Sequence, residues 1–163
     1  MWFFKIKKII RKRKPTKINI LYKKHKEDAR TLIHNRLEYW APICGVIYKR
    51  ISIRDTKRSW GSCSSKGNLN FSYKLLFLPK CVSDYIIVHE LCHLKELNHS
   101  ERFWQHVEIA LPNYLDLKNE LRALEKTKGT SIPILLKYNE SHTCQDCSWE
   151  ENLTNSNLDQ KHV

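Results

Sequence analysis

At 163 residues the chain is long enough for one core and short for two, so a single compact domain with tails is expected. Its net charge of +12 is uneven: Met1–Lys26 holds eleven Lys and Arg and no acid, leaving 18 basic against 17 acidic groups over residues 27–163. The body is therefore near neutral, and the absence of a long apolar run excludes a membrane span and a secretory signal, which points to a soluble, cytoplasmic protein.

The leading segment "MWFFKIKKIIRKRKPTKINILYKKHK" reads as a basic arm, residues 1–26, whose field suits nucleic acid or an anionic surface. Its phosphate contacts would be non-specific and salt-sensitive. A first helix is predicted from Asp28 to about Trp40, with Ala29, Leu32, Ile33, Leu37 and Trp40 at helical spacing and Pro42 as the stop.

β-Rich sequence follows. "VIYKRISIR" (46–54) alternates at Ile51 and Ile53, and "KRSWGSC" and "NLNFSY" flank "SSKG", a turn between two strands. A small antiparallel sheet is the expectation. The strand 68–73, just before the next helix, suits either an exposed edge that pairs with a peptide or an ordinary internal strand.

After Pro79 the pattern is helical. Ser83 or Asp84 can start a helix through "YIIVHELCHLKEL" that fades near Asn98; Ser100 can cap "ERFWQHVEIAL"; Asn113 can open a third helix with Tyr114, Leu117, Leu121 and Leu124 on one side. The order predicts an α+β domain over residues 27–126, a small antiparallel sheet packed on helices. Residues 127–163 lack sustained periodicity and read as a mostly flexible tail.

The chemistry concentrates in "VHELCHLKELNHSERFW" (88–104). His89 and His93 are four apart, about 40° around a helix and about 6 Å along it, so both imidazoles can ligate one ion, with Glu90 beside them free to act on a bound water. A straight helix would carry His99 about 240° round from His93, so the helix has to end between them. Asn98 suits such an end, and Ser100 suits the next start, which puts His99 in a corner from which it can turn back. Three nitrogens plus a water make an open catalytic zinc site, with one Zn2+ per chain, His89, His93 and His99 as ligands and Glu90 as general base.

"RSWGSCSSKGNLNFSYKLLFLP", "YIIVHELCHLKELNHSERFW" and "LPNY" together resemble the YgjP-like metallopeptidase family, zincins related to the SprT-like proteases, over about residues 20–126. The resemblance implies a zincin-like fold with an active-site helix, zinc on His89, His93 and His99, and Glu90 as base. SprT-like relatives are associated with DNA-bound protein substrates, a role the basic arm would serve. Ser59 stands where members often carry Arg, and Arg58 lies one place earlier.

The function expected is a zinc-dependent metalloprotease acting on protein or peptide. Two alternatives keep the metal: a hydrolase of nucleotide phosphoanhydrides, for which no phosphate-cradling glycine motif is present, and a non-enzymatic, zinc-stabilised nucleic-acid-binding module, which has no need of Glu90. Arg58, Tyr73, Tyr85 and His106 are candidate oxyanion donors. Trp60, Gly61 and Cys63 read as structural, Cys44, Cys63, Cys81 and Cys92 as reduced thiols, with a Cys63–Cys92 contact conceivable, and His142, Cys144 and Cys147 as fortuitous spacing in the tail.

Overall fold

The computed structural model describes residues 20–126. Most of the basic arm and all of the tail, with His142, Cys144 and Cys147, lie outside them. Four helices, α1 (Ile20–Cys44), α2 (Lys80–Cys92), α3 (Glu101–Ala110) and α4 (Tyr114–Lys126), surround strands β1 (Arg50–Arg54), β2 (Gly61–Cys63) and β3 (Asn68–Ser72). The α+β class holds. Among the described residues no helix is long and apolar enough to cross a membrane.

The helix α1 is longer than its periodicity suggested: it takes in Ile20–Lys26 and runs past Pro42 to Cys44. Pro42 removes one helical N–H but does not end the helix, and the real stop is Gly45 at φ 59. Gly45 N–H donates to the Pro42 carbonyl (2.9 Å) and Val46 N–H to Ala41 (3.1 Å), a Schellman closure that satisfies the last carbonyls. Residues 46–49 are consumed in leaving this turn, so β1 begins only at Arg50.

The sheet is mixed rather than purely antiparallel, in the order β1-β3-β2. The hairpin between β2 and β3 turns at "SSKG" as predicted, with Gly67 at φ 76 and its N–H on the Ser64 carbonyl at 2.9 Å. β1 instead runs parallel to β3, pairing Ile51 with Leu69 and Ile53 with Phe71. β3 is thus the internal strand, and its Leu69 and Phe71 are buried in the core. Among the described residues β2 and β1 are the edges.

A short 3₁₀ turn, Tyr73–Phe77, leads from β3 into α2 and was not predicted. α2 starts at Lys80, ahead of Ser83 and Asp84, because those two side chains serve tertiary contacts: Ser83 Oγ donates to the Leu75 carbonyl at 2.9 Å, and Asp84 receives both arms of the Arg36 guanidinium. The helix is apolar almost all round, with Val82, Ile86, Ile87, Val88 and Leu91 at most 4% exposed, so it fills the centre of the fold between α1, α3, α4 and β2.

Candidate active site

His89 and Glu90 lie in the last turn of α2, and His93 caps it. The helix ends at Cys92, six residues before Asn98, where the sequence suggested a stop. Turn bonds from Leu94, Lys95 and Glu96 N–H back to Leu91 and Cys92 replace the helical ladder. His93 contributes too: its Nδ1 lies 3.0 Å from the Glu96 carbonyl, which can only accept, so Nδ1 carries the proton and Nε2 is left with its lone pair. That bond fixes both the tautomer and the exit path of the chain.

The path returns His99 to the helix. Ser100 then caps α3, its Oγ accepting from Phe103 N–H at 3.4 Å. His99 Nε2 comes to 3.0 Å from His89 Nε2, and one ligand atom from each of His89, His93 and His99 lies within 4.8 Å of the others. Nitrogens about 2.0–2.1 Å from one tetrahedral ion stand roughly 3.3 Å apart, inside that range.

A cation fits the donor set. Burial, then the charges of His93, His99 and Lys118, holds the His89 imidazole down to about 3, so it stays neutral and able to ligate. His99 is lowered as well, by burial first and then by His93 and Lys118. His89 Nδ1 and Glu90 Oε2 are buried with no hydrogen-bond partner among the described residues, the condition an ion or water in the site would relieve.

Glu90 is 7% exposed, and burial pushes its carboxyl up to about 7. It abuts β2, where a Cβ on Gly61 would stand 2.6 Å from its Cγ. Trp60, Gly61, Tyr85, Ile86, His89, Glu90 and Leu121 line a cleft of about 150 Å³ at this point. Of the suggested oxyanion donors only Tyr85 lines it; burial holds its phenol protonated, up to about 12, so it is a donor. Tyr73 is fully buried against Tyr22 and Phe77, His106 sits on α3, and Arg58 lines a neighbouring cavity.

Sequence reasoning missed the aromatic support of the imidazoles. Phe103, fully buried, has its ring centre 4.9, 4.5 and 4.8 Å from those of His89, His93 and His99. Trp104 stacks on His99 on one side and on Tyr114 on the other, with Lys118 Nζ 3.7 Å from its ring centre. The available signal was "SERFW" itself: a capped turn that brings two aromatics directly under the preceding histidine. The described cysteines, Cys44, Cys63, Cys81 and Cys92, are free thiols; the Cys92 thiol hydrogen-bonds with that of Cys44 rather than of Cys63, and Cys63 is pushed up to about 11 by burial and by Glu90.

Among curated proteins no sequence matches the chain. It is similar to a solved structure, the metallopeptidase zymogen abylysin of Pyrococcus abyssi, at 29% identity and a TM-score of 0.52, over 59% of this chain and 95% of that one. The family model described as "YgjP-like, metallopeptidase domain" matches residues 5–124. A histidine triad able to hold a metal, an α+β fold and this match lead to one conclusion: the chain belongs to the YgjP-like metallopeptidase family, whose substrates are proteins or peptides.

Proposed function

We propose that the protein is a zinc peptidase in which His89, His93 and His99 hold one Zn2+ per chain and Glu90 is the general base. The observation that carries this reading is the convergence of three imidazole nitrogens within 4.8 Å beside a buried, unpaired carboxylate oxygen. A bound zinc ion supplies Lewis acidity to the attacking water and the scissile carbonyl.

The residues of the chain do the rest. Glu90, whose carboxyl burial raises to about 7 in the metal-free chain, is the group in the cleft suited to take a proton from water and to return it to the leaving nitrogen. Tyr85 supplies a neutral hydroxyl in the same cleft, suited to donate to the developing oxyanion. Among the described residues β2 is an edge strand, and its Gly61 abuts Glu90, so an extended peptide added along it would be carried past the base. His93 keeps its ligand nitrogen aimed through the Nδ1 bond to Glu96.

The test is elemental analysis with cleavage of an unfolded protein by wild type and Glu90→Gln. About one zinc per chain in both, with cleavage lost only in the variant, supports the assignment. Cleavage that survives in Glu90→Gln, or a wild type that takes up no zinc, rejects it.

A further inference from the structure

Beside the catalytic cleft lies a second cavity, of about 250 Å³, whose chemistry the peptidase reading does not use. Lys57, Arg58 and Lys74 line it together with Ser72, Trp60 and Glu125. Among the described residues none of the three cations makes an ion pair. Glu125 is the one acid in the wall, and the Trp60 indole N–H holds its Oε1 at 3.0 Å. Ser72 Oγ accepts from Lys74 N–H at 3.4 Å, so its hydroxyl proton remains available to a guest. The loop that carries Lys57 and Arg58 is tied by Thr56 Oγ1 donating to the Ser59 carbonyl at 2.6 Å.

Position gives the cavity a meaning. Trp60 lines both it and the cleft that holds Glu90 and His89. The Trp60 carbonyl accepts Ser72 N–H at 2.7 Å, which closes the β2–β3 ladder, so the cavity opens where edge strand β2 begins. A peptide lying along β2 advances about 3.3 Å per residue, and one or two residues carry it from Gly61 over Trp60. Three cations against one carboxylate leave the wall net positive and favour an anionic group, and the volume is below the roughly 300–1,000 Å³ of sites for whole small molecules.

We infer that this cavity is a specificity subsite that takes the carboxylate side chain of an aspartate or glutamate in the peptide substrate, one or two residues from the scissile bond. The inference rests on the peptidase reading above. Phosphate of a nucleic acid, also one negative charge per phosphodiester, is the competing guest; the place of the cavity, at the start of β2 and sharing Trp60 with the cleft of Glu90, favours the peptide side chain.

The test is a set of fluorogenic peptides of one parent sequence in which Glu, Gln or Lys is walked through the positions flanking the cleaved bond, assayed with zinc-loaded full-length protein. At one position kcat/KM for Glu should exceed that for Gln by about tenfold, the scale of a charge-assisted bond. Arg58→Ala and Lys74→Met should bring the ratio close to one, and Arg58→Glu should turn the preference toward Lys; circular dichroism melts verify that each variant is folded. Fluorescence anisotropy with Glu90→Gln reads the same discrimination as binding, without turnover. Cleavage with no position favouring Glu overturns the subsite and leaves the peptidase reading standing. Loss of all metal-dependent cleavage, even of an unfolded protein, removes the peptidase reading and the subsite with it. An oligonucleotide that displaces the Glu peptide from Glu90→Gln, but not from Arg58→Glu/Glu90→Gln, assigns the cavity to phosphate and overturns the proposal.

Discussion

A methyl group on Gly61 would lie 2.6 Å from Glu90 Cγ and 2.7 Å from its Oε1, so the backbone of β2 leaves the carboxylate a single place to stand. Gly61 has no positive φ, and its role is close approach rather than a special backbone conformation. Gly61→Ala must therefore displace either the strand or Glu90. Activity should fall by roughly 100-fold, as for a misplacement of about 1 Å, while zinc content stays at the wild-type level because the nearest atoms a Gly61 methyl would meet belong to Glu90 and not to His89, His93 or His99. Kinetics with a parallel metal assay check this; activity within a factor of about two of wild type would show that Glu90 relaxes freely.

The parts of the fold set by near neighbours were readable in the sequence. Ser100 announces α3, Tyr114, Leu117, Leu121 and Leu124 announce α4, and "SSKG" announces the hairpin of β2 and β3. What escaped reading depends on contacts distant in sequence. The parallel pairing of β1 with β3 is one such case. Ser83 and Asp84 resemble helix starters but sit inside α2, since Leu75 and Arg36 occupy their polar atoms. The clustering of the three histidines was legible because the spacing of His89 and His93 is a helical property, and His99 needed only a break. The break comes early through the His93–Glu96 bond, which no local signal announces.

His99→Ala separates metal binding from folding. The side chain is exposed, Ser100 still caps α3, and Phe103 and Val107 still anchor that helix in the core. The melting temperature of the metal-free protein should move little. Zinc affinity should fall by more than the roughly 10–100-fold that loss of an outer hydrogen-bond partner costs, because a ligand is gone. Titration against a competing chelator measures it, and an unchanged affinity would remove His99 from the ligand set.

Arg36 and Asp84 join α1 to the active-site helix through a two-pronged ion pair, with side chains 14% and 8% exposed. Burial raises the Asp84 carboxyl even though Arg36 pulls it down. Removing only the arginine strands that carboxylate. Arg36→Ala should cost about 3–5 kcal/mol, whereas Arg36→Met with Asp84→Leu should recover most of it, since a well-packed apolar pair avoids desolvation altogether. Urea unfolding of the three proteins decides; equal stabilities for the single and double variants would mean that the pair acts mainly through packing.

Glu90 should make the metal-free protein less stable as pH rises. Its folded value, about 7, lies above the ordinary 4.5, and burial is the cause. Below about pH 4.5 both folded and unfolded states are protonated and there is no penalty. Between 4.5 and 7 the unfolded chain ionises first, so stability is lost progressively, and above 7 the loss is complete. A rise of this size corresponds to about 3 kcal/mol. Glu90→Gln lacks the charge, so under chelator it should match wild type at pH 4.5 and exceed it by up to that amount at pH 8. Urea unfolding at the two pH values measures the difference. A stability gain equal at both would trace the effect to packing against Gly61 instead of to the buried charge, and would leave Glu90 without the raised proton affinity its role as base calls for.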